Sequence, residues 1–563
     1  MDMIMKKFSK KAVSILLIAG MICIFAGCRS GTSNTPIAEE AEAVEMNYST
    51  GFDDTLFYKN TASYAGADPA MIYVDEGEYA GTFFMYVTSS SLNARGFVVY
   101  SSTNLTDWEA AGIAFMPGSA GWGSGQYWAP EVIYDDGLYY MFYSARWGAT
   151  EYMFYISVAV SDNPVGPFEE LSTPTKSAKE PLLIFENHQS EIPSEYVSAL
   201  TGYLGTPGYI KVIDASPFID PVTGTKYLYF AADVGTSYTE ASFIFGMEME
   251  DWSTPKYETM TKLTSYGYAT VEETEAVIEG GNTNEGPFMY YHDGSYYLTF
   301  STNTYYTVNY QVHQAIGTSP LGPFEKVAQE DGAAVIYTDT TSLAQGCGHH
   351  VFVQMGDELW MSYHTLANDE NIDDGRTFAV DKVVFAENAA GQKILCANGT
   401  TRTMQPLPAV VSGYEDVAVY ARVGCEEAEN DVSYVNDGYI PLHKGTAVPE
   451  FRTASGNATI TFEFEQAVTL RSILVYNSCN DSFMFDAIKK ITIYTEDGNY
   501  SISDLSYDTA SRTYKGLSTE RTQYDLAAVA VFDELSGCNK VTFTFDCANA
   551  IGIPEIMLMG VKP

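Results

Sequence analysis

Five segments of this chain can be laid over one another, and a chain built from five copies of one small unit has few folds open to it. They are Asp68-Pro69-Ala70-Met71-Ile72-Tyr73, Ala129-Pro130-Glu131-Val132-Ile133-Tyr134, Ser216-Pro217-Phe218-Ile219-Asp220, Gly286-Pro287-Phe288-Met289-Tyr290-Tyr291 and Gly348-His349-His350-Val351-Phe352-Val353. Each is followed by a short acidic or Gly-containing turn and a second aromatic run. Asp135-Asp136-Gly137 leads into Leu138-Tyr139-Tyr140-Met141-Phe142, and His292-Asp293-Gly294 into Ser295-Tyr296-Tyr297-Leu298. An Asp-Gly turn between apolar runs is a strong hairpin signal. A third element recurs as Gly166-Pro167-Phe168-Glu169 and Gly322-Pro323-Phe324-Glu325. Units of three or four strands that start roughly 60–90 residues apart describe a propeller, whose radial repetition leaves only short edges. The chain therefore reads as all-β, with a five-bladed β-propeller over residues 55–410. A β-sandwich with chance hairpins explains neither the repeated Pro nor the repeated Gly-Pro-Phe-Glu.

From about Gly413 the pattern changes. Ala458-Thr459-Ile460-Thr461-Phe462-Glu463-Phe464 alternates at period two, and Val468–Tyr476, Ile491–Tyr494, Lys540–Phe545 and Ile553–Met559 follow as spaced apolar runs. Such strands predict a β-sandwich accessory domain over 413–563. It resembles galactose-binding-like modules, including Asn436-Asp437-Gly438 near its start.

At the other end, Lys6, Lys7, Lys10 and Lys11 precede an apolar run from Ala12 to Ala26, too short for a comfortable membrane span. The run ends in Phe25-Ala26-Gly27-Cys28, which resembles a bacterial lipobox. Residues 1–28 thus read as a lipoprotein signal with Cys28 lipidated, and 29–50 as a flexible tether. The expected place is extracytoplasmic, on the bacterial cell surface or envelope, held to the membrane through that lipid alone. With 72 acidic against 30 basic residues the chain repels phosphate backbones, which excludes nucleic acid as a partner and leaves neutral substrates unaffected. Cys347, Cys396, Cys425, Cys479, Cys538 and Cys547 form no Cys-x-x-Cys pair, so zinc and redox sites have no support. An oxidising location makes Cys538 with Cys547 the expected disulfide.

In a propeller, side chains at the start of the innermost strands converge on one end of the axis. Three carboxylates stand there: Asp68, Asp214 and Glu285. Sugar hydrolysis needs one carboxylic acid to protonate the leaving oxygen and a second carboxylate to activate water or attack the anomeric carbon. Asp135, Asp136, Asp220 and Asp293 fall in hairpin turns and read as solvated.

Ala67-Asp68-Pro69, Trp128-Ala129-Pro130-Glu131, Ile213-Asp214-Ala215-Ser216, Asn284-Glu285-Gly286-Pro287 and Gly346-Cys347-Gly348-His349-His350 together resemble the signature series of glycoside hydrolase family 43, over about residues 60–390. Two positions depart from that series: Glu131 stands where Asp is common, and Pro217 follows Ser216. The resemblance implies an inverting five-bladed enzyme with Asp68 as general base, Glu285 as general acid, and Asp214 orienting the acid and raising its pKa. It further implies that Trp128, Arg376 and His349 contact substrate. No cofactor is required, and His349 would face a structural calcium ion or a water near the axis. The expected substrate is a neutral, plant-type polysaccharide or oligosaccharide containing arabinose or xylose. The expected activity is an exo-acting α-L-arabinofuranosidase or β-D-xylosidase, with the insertion from about Ser172 to Tyr209 walling off one end of the cleft. The alternatives are an endo-arabinanase or exo-galactosidase of the same fold, and a non-catalytic lipid-anchored glycan-binding protein.

Overall fold

The computed structural model describes residues 42–562 apart from 62, 89–95, 119–120, 148–152, 202–209, 234–241, 265–282, 339–343, 367–374, 401, 442–447, 508–511, 516–519 and 524–525. The signal and lipobox therefore lie outside the described residues. Each repeat forms a blade of four or five antiparallel strands. The first blade runs Ala67–Val74, Thr82–Thr88, Phe97–Ser102 and Glu109–Phe115, paired in chain order. The innermost strands of the other four are Gly125–Asp135, Ile210–Ile219, Asn284–His292 and Gly348–Met355. The tight turns follow from their residues: Asp136 and Asp293 take φ 49° and 48°, and Gly137 and Gly294 follow at 83° and 84°. That is the left-handed pair a two-residue hairpin requires. Second strands such as Thr82–Thr88 are buried almost throughout, being covered on both faces by neighbouring blades, and so read as unbroken aromatic runs.

One feature repeats five times around the axis. The register slips between Ala67 and Ala70, Trp128 and Glu131, Ile213 and Ser216, Glu285 and Phe288, and Gly348 and Val351. The first residue inside each slip is left-handed: Asp68, Ala129, Asp214, Gly286 and His349, all with φ between 47° and 60°. These are β-bulges, which re-aim side chains where a strand must turn toward a site. The bulges also correct the repeat alignment. In the third unit Asp214, not Ser216, is the counterpart of Asp68, and in the fifth it is His349, not Gly348.

The ring closes through backbone bonds between the start of the first blade and the last: Ala65 bridges Thr377, and the Gly66 amide donates to Arg376 O. Phe57–Tyr58 pairs with Gln405–Pro406, and both segments meet on Asp381 of the fifth blade. Asp381 accepts hydrogen bonds from Tyr58, Asn60, Tyr363 and Gln405, and it is fully buried. Four donors from three segments thus converge on one carboxyl.

The C-terminal part is the expected sandwich, built around two 20-residue strands, Asn457–Tyr476 and Ala527–Asp546. Register irregularities between Glu463 and Ser472 bend the first, so its early half pairs with Arg422–Cys425 and its late half with Ile556–Val561. The early half alternates buried and exposed residues. The late half is buried on both faces. Ile473 and Val475 face the sandwich core, whereas Leu474, Tyr476, Met557 and Met559 pack with Leu56, Phe57 and Met404 from the propeller side.

Several expectations are corrected here. Val44–Glu45 pairs in parallel with Gly498–Ser506 and Ser49 bridges Val531, so the latter part of the expected tether is docked strand. All six cysteines from Cys347 onward are free. Cys538 lies in the strand Ala527–Asp546 and Cys547 just past its end; nine steps of extended chain separate them by about 30 Å, far beyond disulfide reach. Asp220 is buried and accepts from Thr223 and Tyr296, and Asp135 binds Lys226 and Trp252 of the next blade. Neither is the solvated turn residue expected, whereas Asp293 is exposed. The described part of the insertion does not stand free as a wall. Leu182, Leu183, Phe185, Ile192 and Leu200 pack into the core shared by blades two and three, with Phe185 against Phe230 and Tyr257.

Candidate active site

The five bulge residues are wired to one another across the blades. The Ala129 amide donates to Thr88 Oγ1 at 2.7 Å, Asp214 to Ser144 Oγ at 3.0 Å and His349 to Ser301 Oγ at 2.7 Å. Asp68 donates its amide to His364 Nδ1 at 3.2 Å. Each acceptor sits near the end of the preceding blade's second strand. In the third blade that place is Ala231, which pairs with Ile213 and has no hydroxyl. There the Asp214 carboxylate substitutes, its Oδ2 accepting from the Gly286 amide at 3.0 Å. The ring of hydrogen bonds thus fixes Asp68 and Asp214 at one end of the axis, with Glu285 immediately before the fourth bulge.

Asp68 is buried, and both its oxygens are engaged. Oδ1 meets Arg376 Nη1 at 2.8 Å, and Thr88 donates to Oδ2 at 2.8 Å. Burial by itself would raise this carboxyl, but the Arg376 guanidinium beside it, helped by His349 and His364, holds it well below the usual range. Arg376 is the standing charge among them. Burial keeps His349 below the ordinary imidazole range and brings His364 down to about 3. His364 Nδ1 accepts the Asp68 amide, so its proton belongs on Nε2.

Glu285 is placed oppositely. Burial first and the Asp214 charge second push its carboxyl up to about 7. Asp214 is likewise raised, by burial and then by Asp68, with the Gly286 amide opposing. The sequence predicted that Asp214 would raise Glu285; the structure adds that burial is the larger cause. Tyr310 donates to Glu285 Oε1 at 2.8 Å. Behind Asp214, Ser216 donates to the buried Glu131 at 2.8 Å, so the two departures from the family pattern lie side by side. One carboxyl held low and a second raised to about 7, at one end of the axis, are the pairing that acid–base cleavage of an acetal requires.

Arg376 is on the Asp68 carboxylate, with its guanidinium 4.9 Å from the Tyr305 ring centroid. Tyr305 and the adjacent Tyr306 are 41% and 56% exposed. Trp128 holds the register place in blade two that Glu285 holds in blade four, and its half-buried ring stacks on Phe154 at 4.3 Å. His349 Nδ1 lies 3.5 Å from Asp68 and 3.9 Å from Asp214. Among the described residues no three His, Cys, Asp or Glu side chains gather to hold a metal. Calcium takes six to eight oxygens, so an ion beside His349 would draw most of its ligands from water. Sequence reasoning missed Thr88, Tyr310 and His364. The hydroxyl or imidazole closing an aromatic run, as in Tyr86-Val87-Thr88, Phe142-Tyr143-Ser144 and Tyr363-His364, was the available signal.

The model of glycosyl hydrolases family 43 matches residues 58–187 and 199–390, which takes in the innermost strand of every blade and every residue of this site. The chain belongs to that family. Family 43 enzymes are O-glycosyl hydrolases and need no cofactor. Among curated relatives, xylosidase/arabinosidase 43A of Humicola insolens is 26% identical over 47% of this chain and 73% of its own. A xylosidase/arabinosidase of Bacteroides ovatus is 23% identical over 49% and 77%. A solved thermostable family-43 glycoside hydrolase shares 28% identity, covering 62% of this chain and 99% of its own, with a TM-score of 0.48.

Proposed function

We propose that this family 43 hydrolase releases single arabinofuranosyl or xylosyl units from plant-type polysaccharide or oligosaccharide with inversion of configuration. The observation that carries the reading is the contrast between Asp68, ion-paired with Arg376, and Glu285, whose carboxyl is raised to about 7 by burial. Asp68, ionised beside Arg376, takes a proton from the water that attacks the anomeric carbon. Glu285, its pKa raised to about 7, gives its proton to the leaving oxygen on the other face. Asp214 adds to the rise that burial imposes on Glu285 and holds the Gly286 backbone beside it. Tyr305 and Tyr306 offer exposed rings of the kind that stack on sugar faces. The curated relatives named for xylosidase and arabinosidase activity support a pentose.

Proton NMR of the first-formed sugar tests the stereochemistry; retained configuration overturns the mechanism. Early products from linear arabinan, arabinoxylan and xylan test the mode of action. Monosaccharide alone supports exo cleavage, and a ladder of oligosaccharides makes the enzyme an endo-arabinanase or similar. Binding without turnover on arabinoside, xyloside and galactoside panels would make it a glycan-binding protein.

The same reading puts the enzyme on the cell envelope through lipid on Cys28, supported by the basic, apolar and lipobox-like run before it. Cys28→Ala should move it from the membrane fraction to the soluble one. Residues 413–563 act as a brace for the propeller, supported by the two-sided burial of Leu474, Tyr476, Met557 and Met559.

A further inference from the structure

Tyr310 is used by no step above, yet it is among the most tightly held side chains near the axis. Its ring is buried and lies parallel to His364, with centroids 5.5 Å apart and an interplanar angle of 9°. On another side it meets Gly348, where a Cβ would stand 2.2 Å from Tyr310 Cε1. Gly348 occupies the register place that carries Trp128 in blade two and Glu285 in blade four. A side chain is therefore absent where this ring needs room. The backbone is pinned as well: the Tyr310 amide donates to Thr307 O, and Thr338 Oγ1 donates to Val308 O and Tyr310 O. The phenol ends 2.8 Å from Glu285 Oε1.

We propose that Tyr310 is the positioning residue of the proton donor: its hydroxyl holds Oε1 of Glu285, so that Oε2 carries the proton to the leaving oxygen. The inference rests on Glu285 being the acid. A carboxylic acid can present its O–H from either oxygen, and rotation of the terminal torsion exchanges them. A donor fixed on Oε1 makes that atom the acceptor and leaves the O–H on its partner. The same hydrogen bond stabilises the ionised carboxyl and opposes the rise that burial imposes, which makes Glu285 a stronger acid. The stacked Tyr310–His364 pair also runs from the acid to the residue that accepts the Asp68 amide, tying donor and base to one rigid pair of rings.

The test is Tyr310→Phe, which keeps the ring and its packing, assayed on pentosides graded by leaving group. On an unactivated disaccharide kcat should fall roughly ten- to a hundredfold with KM little changed, a part of what general-acid catalysis supplies. On a dinitrophenyl pentoside, whose leaving group needs no proton, the loss should be less than about twofold. The alkaline limb of the pH profile should move upward, because the carboxyl loses a donor that favoured its ionised form. Gly348→Ala, which drives the ring away, should reproduce the leaving-group dependence. Equal losses on both substrates, an unmoved alkaline limb, or unchanged kcat on the disaccharide would each overturn the proposal. Glu285→Gln run in parallel separates the two ideas: if its loss does not depend on the leaving group, Glu285 is not the acid and the failure lies there.

Discussion

Consider the replacement of Arg376 by Met, which keeps most of the stem and removes the charge. Arg376 Nη1 stands 2.8 Å from Asp68 Oδ1, and both side chains are largely buried, so solvent screens the pair little. Coulomb's law at an effective dielectric of 20 bounds the interaction at about 6 kcal/mol. A measured hydrogen bond to a charged group contributes about 1.5–3 kcal/mol net, the better guide once desolvation of both partners is counted. At about 1.36 kcal/mol per unit, that corresponds to a rise of about one to two units in the Asp68 pKa. The sign follows from the role: a base must be ionised, so raising its pKa moves the acid limb of kcat/KM to higher pH. The wild-type limb lies well below the ordinary carboxylate range, and in Arg376→Met it should climb by that one to two units. The alkaline limb, set by Glu285, should stay near 7. Arg376→Lys restores a charge without the fork and should bring the acid limb partly back. The assay is kcat/KM against pH on an aryl pentoside. A uniform fall with an unmoved acid limb would mean that Arg376 serves only to bind sugar, and the argument that it tunes the base would be wrong.

Asp214→Asn removes the second cause of the raised Glu285 pKa and leaves burial, the larger one. The alkaline limb should therefore move down by about half to one unit, and an upward move or none would refute the coupling. Asp381→Ala strands four donors from three segments at the ring closure, and denaturant unfolding should show a loss of about 3–5 kcal/mol. A loss below about 1 kcal/mol would mean that the closure rests elsewhere. A chain truncated after residue 412 uncovers Leu56, Phe57 and Met404, and should aggregate or bind a hydrophobic dye. A soluble, active truncation would make the sandwich an independent accessory module and not a brace. Peptide mapping without reductant should find Cys538 and Cys547 as separate thiols; a bridged peptide would contradict the strand that separates them.

What the sequence by itself determined is local in origin. Turn chemistry and strand periodicity act over a few residues, so the Asp-Gly hairpins, the five repeats and the change of style after Gly413 were legible, and so were the three carboxylates that begin innermost strands. The positions of Asp68, Asp214 and Glu285 needed no knowledge of what lay opposite them. Everything that depends on a partner from another blade was decided by the tertiary structure. Asp220 looked like a solvated turn residue until Tyr296 of the next blade covered it, and Asp135 until Lys226 and Trp252 did. Cys538 and Cys547 are close in sequence, but one extended strand holds them apart. The opposite shifts of Asp68 and Glu285 likewise arise from groups on other strands: Arg376 sits 308 residues from Asp68, and Asp214 on another blade acts on Glu285, which Tyr310 also bonds. A bulge is a slip between two strands and a pKa is a sum over neighbours. Neither exists until the blades meet around the axis, because one strand's sequence does not specify what will stand beside it.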